Sequence, residues 1–366
     1  MTQKSTTSSP RRGCSIFLVV ILLIVLVAGA RALYLHFTSI AVLPPAGAGC
    51  PNWSRQSSSI ANLVYTPDGA TLLIEGNGLA AYDAVNRRSL WCVDMETAPG
   101  LLTVSPDGKT FAAASHMLFG GYELLETRRV TDGLQLQQWP VKLIYFSDLA
   151  FTPDGQMLVS SGFDLTRRFL ESADTPQTLT GPATGKVAYG GIDFASDGRT
   201  MAVVVEDRIE LWDTATWTVT QTFPAGKRAY DNEFAFVPDD QVLVMWGGGG
   251  VDVLRLSDGA LLLHWADTDH DFKYVQKLAF SLDGRYMAAL AHGYHNKDLR
   301  TKRRDLWVGK NWDIVGLWET ANWQLLGERR YSGMRNVLAF SPDGAALWVD
   351  DGRALREIPL SELSKK

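Results

Sequence analysis

Short runs in which large and small apolar side chains alternate recur along residues 59 to 366, each stopped by the same kind of polar turn. The turn occurs seven times, as Thr66-Pro67-Asp68-Gly69, Ser105-Pro106-Asp107-Gly108, Thr152-Pro153-Asp154-Gly155, Ala195-Ser196-Asp197-Gly198, Val237-Pro238-Asp239-Asp240, Ser281-Leu282-Asp283-Gly284 and Ser341-Pro342-Asp343-Gly344. Successive copies lie 39, 47, 43, 42, 44 and 60 residues apart, a period that belongs to stacked repeat units. The run before each turn predicts a first strand: 62–65, 101–104, 148–151, 191–194, 233–236, 277–280 and 337–340. Its last residue is Phe or Tyr in six copies and the residue between the two large ones is mostly Ala, so both faces are apolar. Such a strand suits a sheet packed between two others.

The turn has a chemical reason. A Ser or Thr hydroxyl bonds the turn backbone, Pro presets φ, and Gly takes the left-handed closing position without steric cost. A second strand is expected after it, as in 71–75, 201–205, 286–290 and 346–349. A third ends near an acid, clearest in Ile209-Glu210-Leu211-Trp212-Asp213 and in 314–319, and a fourth follows, as in 217–223 and 323–328. The seventh unit has a third strand over 354–359 and then ends without a fourth. Ring closure therefore needs a strand from elsewhere, and Ser39-Ile40-Ala41-Val42-Leu43, stopped by Pro44 and Pro45, is the best candidate.

Four strands in each of seven units, the repeated turn, and Leu211-Trp212-Asp213-Thr214-Ala215-Thr216-Trp217 resemble the WD-repeat family of β-propellers, over roughly residues 59 to 360. The Gly-His pair of that family is absent from all seven units, and Trp-Asp stands in its register once. The resemblance implies an all-β, seven-bladed propeller that serves as a protein-interaction platform, with the second-to-third and fourth-to-first connections emerging on one face.

A propeller holds about 300 residues as one closed domain, and 46% hydrophobic with 20% charged residues fills such a core without relying on disulfides. The N-terminus differs in kind. Residues 1–13 form a polar, basic tail, and an apolar run follows that from Cys14 to Tyr34 is long enough to cross a bilayer if Arg31 snorkels. One N-terminal transmembrane signal-anchor helix is expected over 14–37, with residues 38–58 as closing strand and tether and 59–366 as the propeller. Lys4, Arg11 and Arg12 keep the tail cytoplasmic, which puts the propeller on the extracytoplasmic side of the cell membrane. Ala28-Gly29-Ala30 leaves signal-peptide cleavage as the alternative. Of three cysteines, Cys50 and Cys92 are the pair that an oxidising compartment would allow, two unpaired residues being the simpler reading. The net charge of −5, with +3 in residues 1–30, leaves the rest at −8, no footprint for nucleic acid.

The chain holds no nucleophile elbow, zinc-protease helix, paired Cys-x-x-Cys or phosphate loop, so no catalytic residue, cofactor or metal is assigned. His292 and His295 lack a third ligand, and Asp267, Asp269 and Asp271 lack the Gly bend and bidentate Glu of a calcium loop. Polar residues at equivalent positions in four first strands, Asn62, Asp148, Glu233 and Lys277, are expected at the channel mouth. The 60-residue interval points to an insertion, 294 to 313, between the second and third strands of the sixth unit. Its local charge of +3 and its aromatic residues make Arg300, Lys302, Arg303, Arg304, Trp307 and Trp312 the candidate binding residues for an unidentified protein partner. The alternative function is a propeller enzyme or small-molecule binder with its site at the channel mouth.

Overall fold

Each turn joins the first two strands of an antiparallel sheet, and in five of the seven a hydroxyl at its first position acts twice. Thr66 Oγ1 donates to Asp68 Oδ1 at 2.5 Å and accepts the Thr71 N–H at 3.0 Å, while Gly69 N–H closes on Thr66 O at 2.7 Å. Ser105, Thr152, Ser281 and Ser341 repeat this arrangement. The hydroxyl bond, followed by a main-chain N–H, holds the carboxyls of Asp68, Asp107, Asp283 and Asp343 below the usual carboxylate range.

The chain as a computed structural model is described at residue 60 and over 62–363, apart from 77, 95–97, 117–121, 143–145, 163, 172–175, 180–188, 226–232, 238–239, 248–249, 266–271, 294–311, 332–336 and 351–354. The expected transmembrane helix over 14–37, the closing strand 39–43 and the tether to residue 58 thus lie outside the described residues. Among the described residues no helix is long and apolar enough to cross a membrane.

Seven sheets form, six of four strands and one of three, each in simple meander order. They are the blades of a propeller: blade 1 runs from Asn62 to Asp94, blade 2 from Ala98 to Lys142, blade 3 from Phe146 to Leu179, and blade 4 from Tyr189 to Pro224. Blades 5, 6 and 7 run from Glu233 to Trp265, Phe272 to Tyr331 and Leu338 to Pro359. Most strands reach past the expected bounds; the first strand of blade 6 is Phe272–Phe280. Trp217 and Trp323 are not the first residues of fourth strands. They close the preceding turns at φ 55° and 57°, and the strands start one residue later. The tail after blade 7 forms a short helix, Leu360–Leu363, with Leu363 buried and Glu362 on Arg329 at 2.6 Å. Among the described residues blade 7 has no fourth strand.

The core has no single centre. It divides into seven clusters, one in every seam between consecutive blades, the last joining Trp348 of blade 7 to Leu72 and Ile74 of blade 1. This follows from the alternation: in blade 4, Ile192 and Phe194 of the first strand pack back on Val159 and Ala150 of blade 3. Two outer contacts on blade 3 work in the same way, Arg167 lying over Trp217 of blade 4 and Arg168 over Trp139 of blade 2.

Turns of consecutive blades also pack on one another. A Cβ at Gly69 would lie 2.6 Å from Pro342 Cβ of blade 7, and one at Gly198 3.0 Å from Pro153 Cβ of blade 3. Their φ values of +70° and +68° disfavour a side chain independently. Blades 4 and 5 break the rule together: Ser196 stands where Pro is expected and Asp240 where Gly is expected. Asp240 keeps the positive φ, at 55°, and its carboxylate accepts the Ser196 N–H at 2.9 Å and the Ser196 Oγ–H.

Candidate functional site

Asp148, Glu233 and Lys277 stand four residues before their turns, at the end of the ring away from the Asp-Gly turns, whereas Asp193 stands two residues before its turn, near Asp240. A first strand sits at the inner edge of its blade, so half its N–H and C=O groups have no partner in their own sheet. Side chains on the face opposite to Ile192 and Phe194 point to the axis and to the next blade, where they meet those free groups. Asp148 Oδ2 accepts the N–H of Ile192 in blade 4 at 2.8 Å, and Oδ1 accepts the N–H of Leu149 at 2.8 Å. Asp193 repeats this one seam on, taking the N–H of Phe236 in blade 5 at 2.7 Å and that of Phe194 at 2.9 Å. Asn62 Nδ2 donates to Glu75 Oε2 at 2.7 Å and to Gly100 O of blade 2 at 3.0 Å, and Glu75 Oε1 takes the Gly100 N–H at 3.1 Å. Between blades 5 and 6 the link is an ion pair at the rim, Lys277 Nζ to Glu233 Oε2 at 3.2 Å, with 31% and 52% of the side chains exposed.

Burial is the largest influence on the two aspartates. It pushes the Asp148 carboxyl to about 6 against the Ile192 and Leu149 N–H bonds, with Glu233 raising it further and Lys277 lowering it. Asp193 is pushed to about 7, again by burial first, with Asp148 and Asp240 adding to it. Both side chains touch water along the axis, yet protein surrounds them on every other side, and this enclosure sets their acidity. Burial raises Glu75 as well.

Blade 6 holds the second polar feature, at the end away from the Asp-Gly turns. His292, near the end of the second strand, is hydrogen-bonded through Nδ1 to Asp313 Oδ1 on the third, directly across the ladder, and Asp313 is fully buried. The third strand, Trp312–Glu319, therefore begins earlier than expected. Trp312 and Asp313 belong to the sheet, Trp312 opposite Gly293, and the insertion is 294–311. A buried carboxylate facing a histidine explains the extra pairing: it holds the strands together at the base of the loop.

Of the candidate binding residues, Arg300, Lys302, Arg303, Arg304 and Trp307 lie outside the described residues, as do His295, Asp267, Asp269 and Asp271. The expected mouth residues Asn62, Asp148, Glu233 and Lys277 do share one end of the ring, joined to neighbouring blades rather than to one another except for the Glu233–Lys277 pair. Asp193 is an addition that the sequence reading lacks. Its signal is the row two residues before each turn: Val64, Thr103, Ala150, Asp193, Ala235, Ala279 and Ala339, where one acid stands among small residues. Among the described residues no group of three or more His, Cys, Asp or Glu side chains is placed to hold a metal ion. Cys92, on the fourth strand of blade 1, is disulfide-bonded and so not an unpaired thiol; the other half of the bond lies outside the described residues.

No family model and no curated protein sequence matches the chain. Among solved structures it is similar to the β-propeller domain of Cps50 (Swd1) from Myceliophteria thermophila, with a TM-score of 0.63 and 13% identity over 80% of this chain and 93% of that one. At that identity the likeness is one of fold, a β-propeller, with seven blades in this chain.

Proposed function

We propose that this chain is an extracytoplasmic interaction platform, held at the cell membrane by a helix over residues 14–37, that engages an acidic protein partner through the loop 294–311. The observation that carries the reading is how the first strands use their acids. Asp148 and Asp193 each accept two main-chain N–H groups, and Asn62 and Glu75 satisfy one another and Gly100. Groups spent on seam bonds are poor reagents for a small molecule, which leaves the surface loop as the better place for recognition. The pairing of Gly293 with Trp312 gives that loop a firm base at the end of the ring away from the Asp-Gly turns. Export is supported by the disulfide at Cys92, because such bonds persist in oxidising compartments.

The loop is tested by exchanging Arg300, Lys302, Arg303 and Arg304 for Ser in the full chain and recovering partners from the membrane of its own source. Recovery is expected to fall at least about fivefold at low salt and to converge with wild type as screening increases above physiological ionic strength. Trp307→Ala should weaken recovery at high salt, where an apolar anchor persists. Equal recovery by wild type and the quadruple variant at both salts would reject the loop as the site. For topology, protease added to sealed right-side-out vesicles is expected to digest residues 58–366 while the N-terminal tail stays protected. Protection of the propeller in those vesicles would reject export.

A further inference from the structure

Asp-Gly stands in eight of the described turns, at 68, 107, 154, 197, 283 and 343 between first and second strands and at 132 and 258 between third and fourth. With no Cβ in the way, the glycine nitrogen of such a pair can attack the aspartate Cγ. Water leaves, a five-membered imide forms, and water reopens it to aspartate or to its β-linked isomer, so one water is lost and one regained. The step needs a carboxyl that carries a proton, so that water rather than oxide departs. It also needs a side chain free to swing to its own following amide, and release of the glycine N–H from its turn bond. Glycine follows the aspartate in all eight, so differences in rate between them come from the fold.

Seven of the eight carboxylates are held back. A Ser or Thr hydroxyl donates to Oδ1 of Asp68, Asp107, Asp154, Asp283 and Asp343 at 2.5–2.7 Å. The Arg129 guanidinium grips both oxygens of Asp132, at 2.9 and 2.5 Å, and Arg255 holds Asp258 at 3.0 Å. These side-chain bonds also keep the carboxyls of Asp68, Asp107, Asp132, Asp283 and Asp343 below the usual range, hence ionised and unreactive. Asp197 differs. Ala195 stands where the hydroxyl belongs, and among the described residues the Asp197 carboxylate accepts only the Arg199 N–H, at 2.8 Å. Asp197 is exposed, and the Gly198 N–H bond to Ala195 O is the longest of the eight, 3.0 Å against 2.7–2.9 Å. We propose that Asp197 is a modification site, the described Asp-Gly pair at which this chain converts to isoaspartate. The β-linked product lengthens the main chain by one atom in the turn whose Ser196 holds Asp240 of blade 5. The site rests on the turns and needs no claim about the loop 294–311 or the N-terminal helix.

The test is storage of the native full chain at body temperature in mildly acidic buffer, followed by peptide mapping with electron-transfer fragmentation, which separates a β-linked backbone from a normal one. Isoaspartate at 197 is expected to accumulate about tenfold faster than at any of the other seven positions, the effect of one missing hydrogen bond to a charged group. Ala195→Ser supplies the hydroxyl that five other turns carry and should bring 197 down to their rate. Ser341→Ala removes that hydroxyl elsewhere and should raise the rate at Asp343 by a similar factor. In denaturant the eight positions should react at nearly equal rates. Equal rates in the native chain, no slowing in Ala195→Ser, no rise at Asp343 in Ser341→Ala, or an advantage of 197 that persists in denaturant each overturns the proposal.

Discussion

The melting temperature of the full chain is expected to peak near pH 4 and to fall by about 5 °C as the pH rises to 8. Asp148 and Asp193 are the cause: their folded carboxyls titrate at about 6 and about 7, against about 3.9 in an unfolded chain. A group that binds its proton more tightly when folded stabilises fully below the unfolded value. That stability is lost as the pH rises through the folded value. Each tenfold gain in proton affinity on folding corresponds to about 1.4 kcal/mol, and because both side chains still touch water the expected amplitude is about a third of the full value, about 2 kcal/mol for the two together. The turn aspartates Asp68, Asp107, Asp283 and Asp343 act in the opposite direction, being held low, but their contribution disappears only when the pH falls below about 4. Asp193→Asn is expected to be less stable at pH 5, since its amide NH₂ must face either the Phe236 or the Phe194 N–H, and to show a clearly shallower fall between pH 5 and 8. A variant whose slope equals that of wild type would reject Asp193 as the titrating group.

The blades are legible in the sequence because their cause is local. A hydroxyl, an aspartate and a glycine within four residues determine five of the seven turns, and the alternation before each turn determines which side chains enter a seam. The three strands of the seventh blade are legible for the same reason. The seam bonds are not, because the groups that Asp148 and Asp193 accept are main-chain N–H groups more than forty positions away, which carry no side-chain signature. Asp313 reads as part of the insertion because nothing local shows that a buried carboxylate pairs with His292 and extends the ladder to Trp312. Asp240 reads as a degenerate turn residue for the same reason, although it compensates for a change in another blade.

That compensation predicts a double-mutant cycle. In four consecutive seams the proline of one turn lies on the glycine of the next, Pro342 on Gly69, Pro67 on Gly108, Pro106 on Gly155 and Pro153 on Gly198. Between blades 4 and 5 the same place holds two hydrogen bonds from Ser196 to the Asp240 carboxylate. Ser196→Pro alone removes both donors and leaves an aspartate at φ 55° with nothing to hold it there, an expected loss of about 2–3 kcal/mol. Asp240→Gly alone loses the same bonds but relieves a left-handed conformation worth about 1–2 kcal/mol, so its net cost is below about 1 kcal/mol. The double variant restores the Pro-on-Gly contact of the other turns and is expected to lie within about 1 kcal/mol of wild type. A coupling energy of about 1–2 kcal/mol therefore separates the double variant from the sum of the singles, measured by chemical denaturation of the four proteins at one pH. Additive losses would mean that the two turns do not sense each other and that Asp240 keeps its positive φ for a reason outside the Ser196 bonds.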